Sequence, residues 1–137
     1  SHSLVDFRAG MRLPAAFTAT GKSFLSYMSD FEVKRLYAGG LPQPRTKHSV
    51  QSMEQLLEEL SAIRKRGYSI DNQQVAEGIV CFGASVLDSR NTPIAGVAVS
   101  LLIEDVTDED RERIIETIKR IASRLSVRMG ADLDFQH

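Results

Sequence analysis

Three groups of residues in this chain have types and spacings that suit chemistry. The first is Thr18-Ala19-Thr20-Gly21-Lys22-Ser23, a run of small residues that leads into a helical pattern. A helix N-terminus offers unpaired N–H groups and the positive end of a dipole, which suits a carboxylate or phosphate. The same run also reads as a plain N-cap turn. Gly21-Lys22-Ser23 looks like the end of a phosphate-binding G-x-x-x-x-G-K-[ST] loop. The first glycine of that pattern falls at position 16, which is Ala16, and no parallel βαβ context follows, so nucleotide hydrolysis is set aside.

The second group centres on Cys81, in the middle of an apolar run. A lone cysteine there is an inert small core residue or, given a base, a nucleophile. The histidines His2, His48 and His137 sit at the ends or in a Pro-rich connection, which argues against a Cys–His pair and against metal-ligand spacing. No metal or cofactor is expected. The third group is Asp71, just past a predicted strand end, together with Ser100 near the end of a later one. Asp71 reads as a turn residue or as an acceptor for a ligand hydroxyl or a protonated ligand. Ser69-x-Asp71 and Ala98-x-Ser100 each point to one face by the strand period of two. These residues describe a pocket with few polar groups and no evident general base, which is a binding site rather than an active site.

The elements that must carry them follow from periodicity and caps. A short strand is predicted over residues 4–7, and Pro14 marks a break. The apolar stripe Phe24, Leu25, Tyr27, Met28 predicts a helix from about 18 or 20 to 28. Ser29-x-x-Glu32 is a capping box for a second helix carrying Phe31, Val33, Leu36 and Tyr37, which Gly39-Gly40 ends. Ser52-x-x-Gln55 caps a third, with Met53, Leu56, Leu57, Leu60 and Ile63 inside and Arg64-Lys65-Arg66-Gly67 at its close. Residues 68–70 predict a strand. Residues 78–87 and 93–103, joined by a turn-forming DSRNT segment, predict a β-hairpin. Both of its strands are apolar on both faces, so both are expected mid-sheet. Thr107-x-x-Asp110 opens a long helix over about 108–129, with Ile114, Ile115, Ile118, Ile121, Ala122, Leu125 and Met129 on one face. The tail after Gly130 is expected to fray. Helices gathered in blocks around hairpin-linked strands predict an α+β fold with a mostly antiparallel sheet.

Composition bounds the function. The 137 residues carry 17 Lys and Arg against 18 Asp and Glu, for a net charge of −1. The first fifty residues hold seven bases and three acids, but the bases are dispersed, so nothing resembles a strongly basic nucleic-acid module. The single Cys excludes an internal disulfide and a CxxC pair. No apolar run approaches the ~20 residues of a membrane span, and the start lacks signal-peptide character. A soluble, single-domain, cytoplasmic protein is the expectation.

At these residues the chain resembles a known family. Gly10-Met-Arg12-Leu13-Pro14, followed by Ala19-Thr20-Gly21-Lys22-Ser23-Phe24-Leu25, resembles the G-x-R-x-P…A-x-G-K-A-x-L block of IclR-type transcriptional regulators. Residues 64–71, continuing through 77–84 to Asp88, resemble its second signature, in the right order and spacing. The resemblance implies the C-terminal effector-binding domain of such a regulator, a GAF-like α+β fold that binds a small metabolite, often an organic acid. It implies that Ala19, Thr20 and Gly21 hold a ligand carboxylate through backbone N–H groups, and that Asp71, Cys81, Ala98 and Ser100 contact the rest. It further implies a homodimer or tetramer, with DNA bound only through a separate N-terminal winged helix-turn-helix. The family domain usually begins with a helix and strands ahead of the G-x-R-x-P block, so the front of the domain is expected to be missing here, exposing a sheet edge. The chain departs from the pattern at Gln74, where Glu is common, at Ala98, where binders of small keto acids have Ser, and at Phe17 and Thr18. A redox sensor or enzyme using Cys81, and a ligand-free assembly module with a closed pocket, are the competing readings.

Overall fold

The computed structural model describes residues 11–133. The predicted strand over 4–7, Gly10, His2, His137 and the end of the tail lie outside the described residues. The chain order is α1 (Ala19–Leu25), α2 (Asp30–Leu36), α3 (Met53–Arg66), β1 (Ser69–Asn72), β2 (Ile79–Leu87), β3 (Pro93–Leu102), a 3₁₀ turn (Ile103–Asp105) and α4 (Asp108–Arg128).

Each helix begins where a side chain satisfies an orphan N–H. Thr18 Oγ1 accepts from Gly21 N–H, and Ser52 caps Gln55. Ser29 and Glu32, and likewise Thr107 and Asp110, form reciprocal capping boxes. Gly67 ends α3 in the left-handed conformation at φ 82°, where a side chain is disfavoured. The three strands form one antiparallel sheet in the order β1-β2-β3. Its register aligns Asp71 with Cys81 and Cys81 with Ser100.

Two apolar clusters lie on opposite faces of this sheet. On one, α1 crosses all three strands, and behind it Phe17, Leu25, Leu56, Leu60 and Ile63 pack together. On the other, Val80, Phe82 and Ala84 of β2 meet Ile118 and Ala122 of α4. α1 lies close against the strands because small residues let it. A Cβ on Gly96 would collide with Thr20 Cγ2, and one on Gly83 would stand 3.1 Å from Ala19 Cβ.

Three expectations need correction. β3 is not mid-sheet: among the described residues it is an edge strand, and Ile94, Ala95, Gly96, Ala98 and Ser100 are exposed. Small residues on the α1 face made it read as doubly covered, whereas α1 is too short to shield the full strand. Asp71 lies inside β1, not beyond its end. The apolar face of α4 is only partly used. Ile118 and Ala122 are buried, but Ile121, Leu125 and Met129 are 39%, 41% and 52% exposed, because a three-stranded sheet covers a narrower stripe than the helix offers.

Gly21 gives a sharp test of how α1 packs on the turn before it. A Cβ there would stand 2.5 Å from Ala15 Cα, backbone that cannot swing aside. Alanine ordinarily favours a helix over glycine by about 1 kcal/mol. Here Gly21→Ala is expected to destabilise by about 1–3 kcal/mol, read as a lower urea midpoint. A midpoint raised by the substitution would refute the close packing.

Candidate functional site

All seven residues singled out from the sequence line one cavity of about 420 Å³ between the head of α1 and the exposed end of the strands. Ala19, Thr20 and Gly21 form one wall, and Asp71, Cys81, Ala98 and Ser100 the floor. Met11, Leu13, Phe24, Val75 and Ile79, which sequence reasoning passed over, supply apolar walls. Phe24 was legible in principle: it lies one helical turn after Thr20 and so shares its side. Val75 and Ile79 flank the β1–β2 turn, where no periodicity marks orientation.

The head of α1 is poised for an acceptor. The first N–H groups of a helix have no intrahelical partner. Gly21 N–H is taken by Thr18 Oγ1 at 2.9 Å, which leaves the N–H groups of Ala19 and Thr20 as the donors on that wall. The carbonyl side of Ala19 is fixed from below, where Ser69 Oγ donates to it at 2.5 Å. Among the described residues, no Lys, Arg or His lines the cavity, so any attraction for an anion comes from backbone.

At the other end Asp71 is 2% exposed. Its Oδ1 accepts Gln74 N–H at 2.7 Å. Burial pushes its carboxyl above the usual range, opposed by N–H bonds from Gln74 and Val75, the nearby Lys22 charge and Cys81. Cys81 Sγ lies 3.0 Å from Ser100 Oγ. Burial pushes the thiol up, and the Asp71 carboxylate adds to that against the Ser100 hydrogen bond. A nucleophilic cysteine needs the opposite shift. His48 is exposed on the long α2–α3 connection, and no group of three or more His, Cys, Asp or Glu side chains suited to a metal occurs among the described residues.

Lys22, given no role of its own by the sequence, is the structural key to the site. Its side chain is 1% exposed, and Nζ donates to Ile70 O at 2.6 Å and pairs with Glu59 Oε2 at 3.0 Å. The other Glu59 oxygen accepts from Gln74 Nε2 at 2.8 Å. The departure at Gln74 thus has a local reason: a glutamate there would set two carboxylates against each other.

Residues 2–127 match the family model described as "Bacterial transcriptional regulator IclR C-terminal". The chain belongs to the IclR family of bacterial transcriptional regulators. It is 31% identical over 123 residues to the HTH-type transcriptional regulator KdgR of Escherichia coli K12, covering 90% of this chain and 47% of that protein. To the transcriptional repressor IclR of the same strain it is 36% identical over 101 residues, 73% of this chain and 36% of that one. Among solved structures, the Agobacterium tumefaciens repressor BlcR superposes with a TM-score of 0.87 at 43% identity, over 93% of this chain and 51% of that chain. The chain spans about half the length, or less, of these relatives. The α+β, GAF-like fold is that of IclR C-terminal domains, and the relatives are regulators rather than enzymes. No helix among the described residues is long and apolar enough to cross a membrane.

Two measurements probe the IclR-type pocket. Folded Asp71 holds its proton to higher pH than the unfolded chain, whose value lies near 3.8. Folding stability attributable to Asp71 therefore falls as pH rises from that value through the raised one. Asp71→Asn keeps an oxygen for Gln74 N–H and cannot ionise. The wild-type Tm is expected to fall relative to this variant as pH rises above about 4, and a difference rising with pH would contradict the assignment. For Cys81, labelling by a thiol reagent at neutral pH is expected to be at least about tenfold slower in the native chain than in urea. Rapid native labelling would revive the nucleophile reading.

Proposed function

We propose that this cavity binds a small organic acid and that binding is the signal the regulator senses. The observation that carries the reading is the convergence of backbone donors and one buried carboxyl at opposite ends of a single apolar-walled cavity. The ligand carboxylate lies against the N–H groups of Ala19 and Thr20, beside Gly21. Its other end meets Asp71, Cys81 and Ser100. Asp71 accepts from a ligand hydroxyl or, protonated, donates to a ligand oxygen. Ala98 offers no donor, so that part of the ligand is apolar.

In the whole regulator, the ligand alters the geometry of a homodimer or tetramer, and DNA is bound by a separate N-terminal winged helix-turn-helix. Such coupling is typically worth about 1–3 kcal/mol. Among the described residues no polarised nucleophile–base pair lines the cavity, which favours binding over turnover.

Thermal shift against a panel of small organic acids tests this. A true effector at about one hundred times its Kd stabilises by ~2.7 kcal/mol and raises Tm by several degrees. Asp71→Ala is expected to weaken it by about tenfold or more. A millimolar or tighter hit that Asp71→Ala leaves unchanged would remove Asp71 from the site. A panel with no hit would favour the assembly-module reading.

A further inference from the structure

We propose that a second cavity, at the opposite end of α1, is a binding site for a small multivalent anion. It arises from a mismatch in strand length. The pairing of β1 with β2 stops at Ser69 and Gly83, but β2 runs on to Leu87 with β3 on one side only. The C-terminal end of α3, the last turn of α1 and one flank of α4 enclose about 520 Å³ beside that open edge.

The interior is more polar than a core requires. Ser23, Ser26, Ser85 and Ser126 all line it and are all buried. Ser23 Oγ and Ser85 Oγ share a 2.7 Å hydrogen bond, and Ser26 Oγ donates to Ser23 O. Ser126 Oγ accepts Leu87 N–H at 2.9 Å, which shows that Leu87 turns its N–H away from β3. By strand alternation Ser85, two residues earlier, turns its own N–H the same way, toward the cavity. Ser126 Oγ also donates to Ala122 O at 2.7 Å, and the Ser26 O–H is spent on Ser23, so one hydroxyl of the Ser23–Ser85 pair keeps its O–H for a ligand, beside the Ser85 N–H.

The mouth is cationic. Arg64, Lys65, Arg66 and Lys119 line it, and among the described residues no Asp or Glu does. Arg64 is committed, to Ser26 O, Met28 O and Asp30. Arg66 Nε donates to Tyr68 O and its guanidinium lies over the Tyr68 ring, 4.8 Å from the centroid, which leaves its outer N–H groups. Lys65 and Lys119 make no ion pair among the described residues. Three cations around a floor with one free hydroxyl and one inward N–H, and with no acidic side chain among the described lining residues, match a ligand carrying two or more negative charges, as a phosphate or a polycarboxylate does. α1 reaches both cavities: Thr20 and Gly21 line the first, Ser23 and Ser26 the second.

The test is a titration of the ¹⁵N-labelled chain with inorganic phosphate and, separately, with citrate, followed by amide chemical shifts. Saturable shifts are expected at Gly67, Ser85 and Ser123, whichever probe binds. Binding of phosphate alone assigns a phosphate-bearing ligand, and of citrate alone a polycarboxylate. The double variant Lys65→Gln/Lys119→Gln, confined to the surface, is expected to weaken binding by about tenfold or more. Ser85→Val, which fills the floor, is expected to abolish it. The proposal falls if neither probe saturates, if the double variant binds as the wild type does, or if the shifts are confined to residues 18–21.

Discussion

A buried ammonium group holds this domain together around its cavity. Lys22 sits in the middle of a seven-residue helix with its side chain directed inward, away from water. Burying such a charge costs several kcal/mol unless it is paired and hydrogen-bonded. The Ile70 carbonyl and the Glu59 carboxylate supply those partners from β1 and α3, so one side chain ties three elements to a common point. The seat of α1 on the sheet, the direction of its first N–H groups and the depth of the cavity all follow from that point. The glycines at 83 and 96 are the steric half of the same constraint, since a side chain there would press α1 off the strands, and Gly21 lets the preceding turn at Ala15 close on the helix.

The cavity that results divides its labour by type of atom. One wall is backbone, so its chemistry depends on where α1 lies rather than on which side chains it carries. The floor is side chain: a carboxyl raised by burial, a thiol and a hydroxyl in hydrogen-bonded sequence across three strands. Cys81 belongs to that floor as a soft, uncharged surface. The same burial that makes it a good wall makes it a poor nucleophile.

Much of this was legible in the sequence because the signals were local. Ser29 with Glu32, Ser52 with Gln55 and Thr107 with Asp110 marked helix starts correctly, since a cap bonds within four residues of itself. The hairpin followed from β-branched runs and a turn between them. The seven site residues converge because strand alternation and a helix head are themselves local rules. What failed were statements about what lies on the far side of an element. β3 looked doubly covered because small residues are silent about exposure, and the stripe on α4 looked continuous because periodicity reports a helix's own face, not the width of its neighbour. The structural role of Lys22 went unseen for the same reason: its partners are 37 and 48 residues away.

The backbone wall at Ala19 and Thr20 has an evolutionary consequence. An anchor made of main-chain N–H groups survives nearly any substitution that preserves the helix, whereas Ala98, Ser100 and Cys81 can each be exchanged without disturbing the fold's ties. On the acid-binding role proposed above, lineages sharing this framework could change the molecule they respond to by altering the floor alone. Under that proposal, a new specificity need never pass through a state that has lost its hold on an acid group.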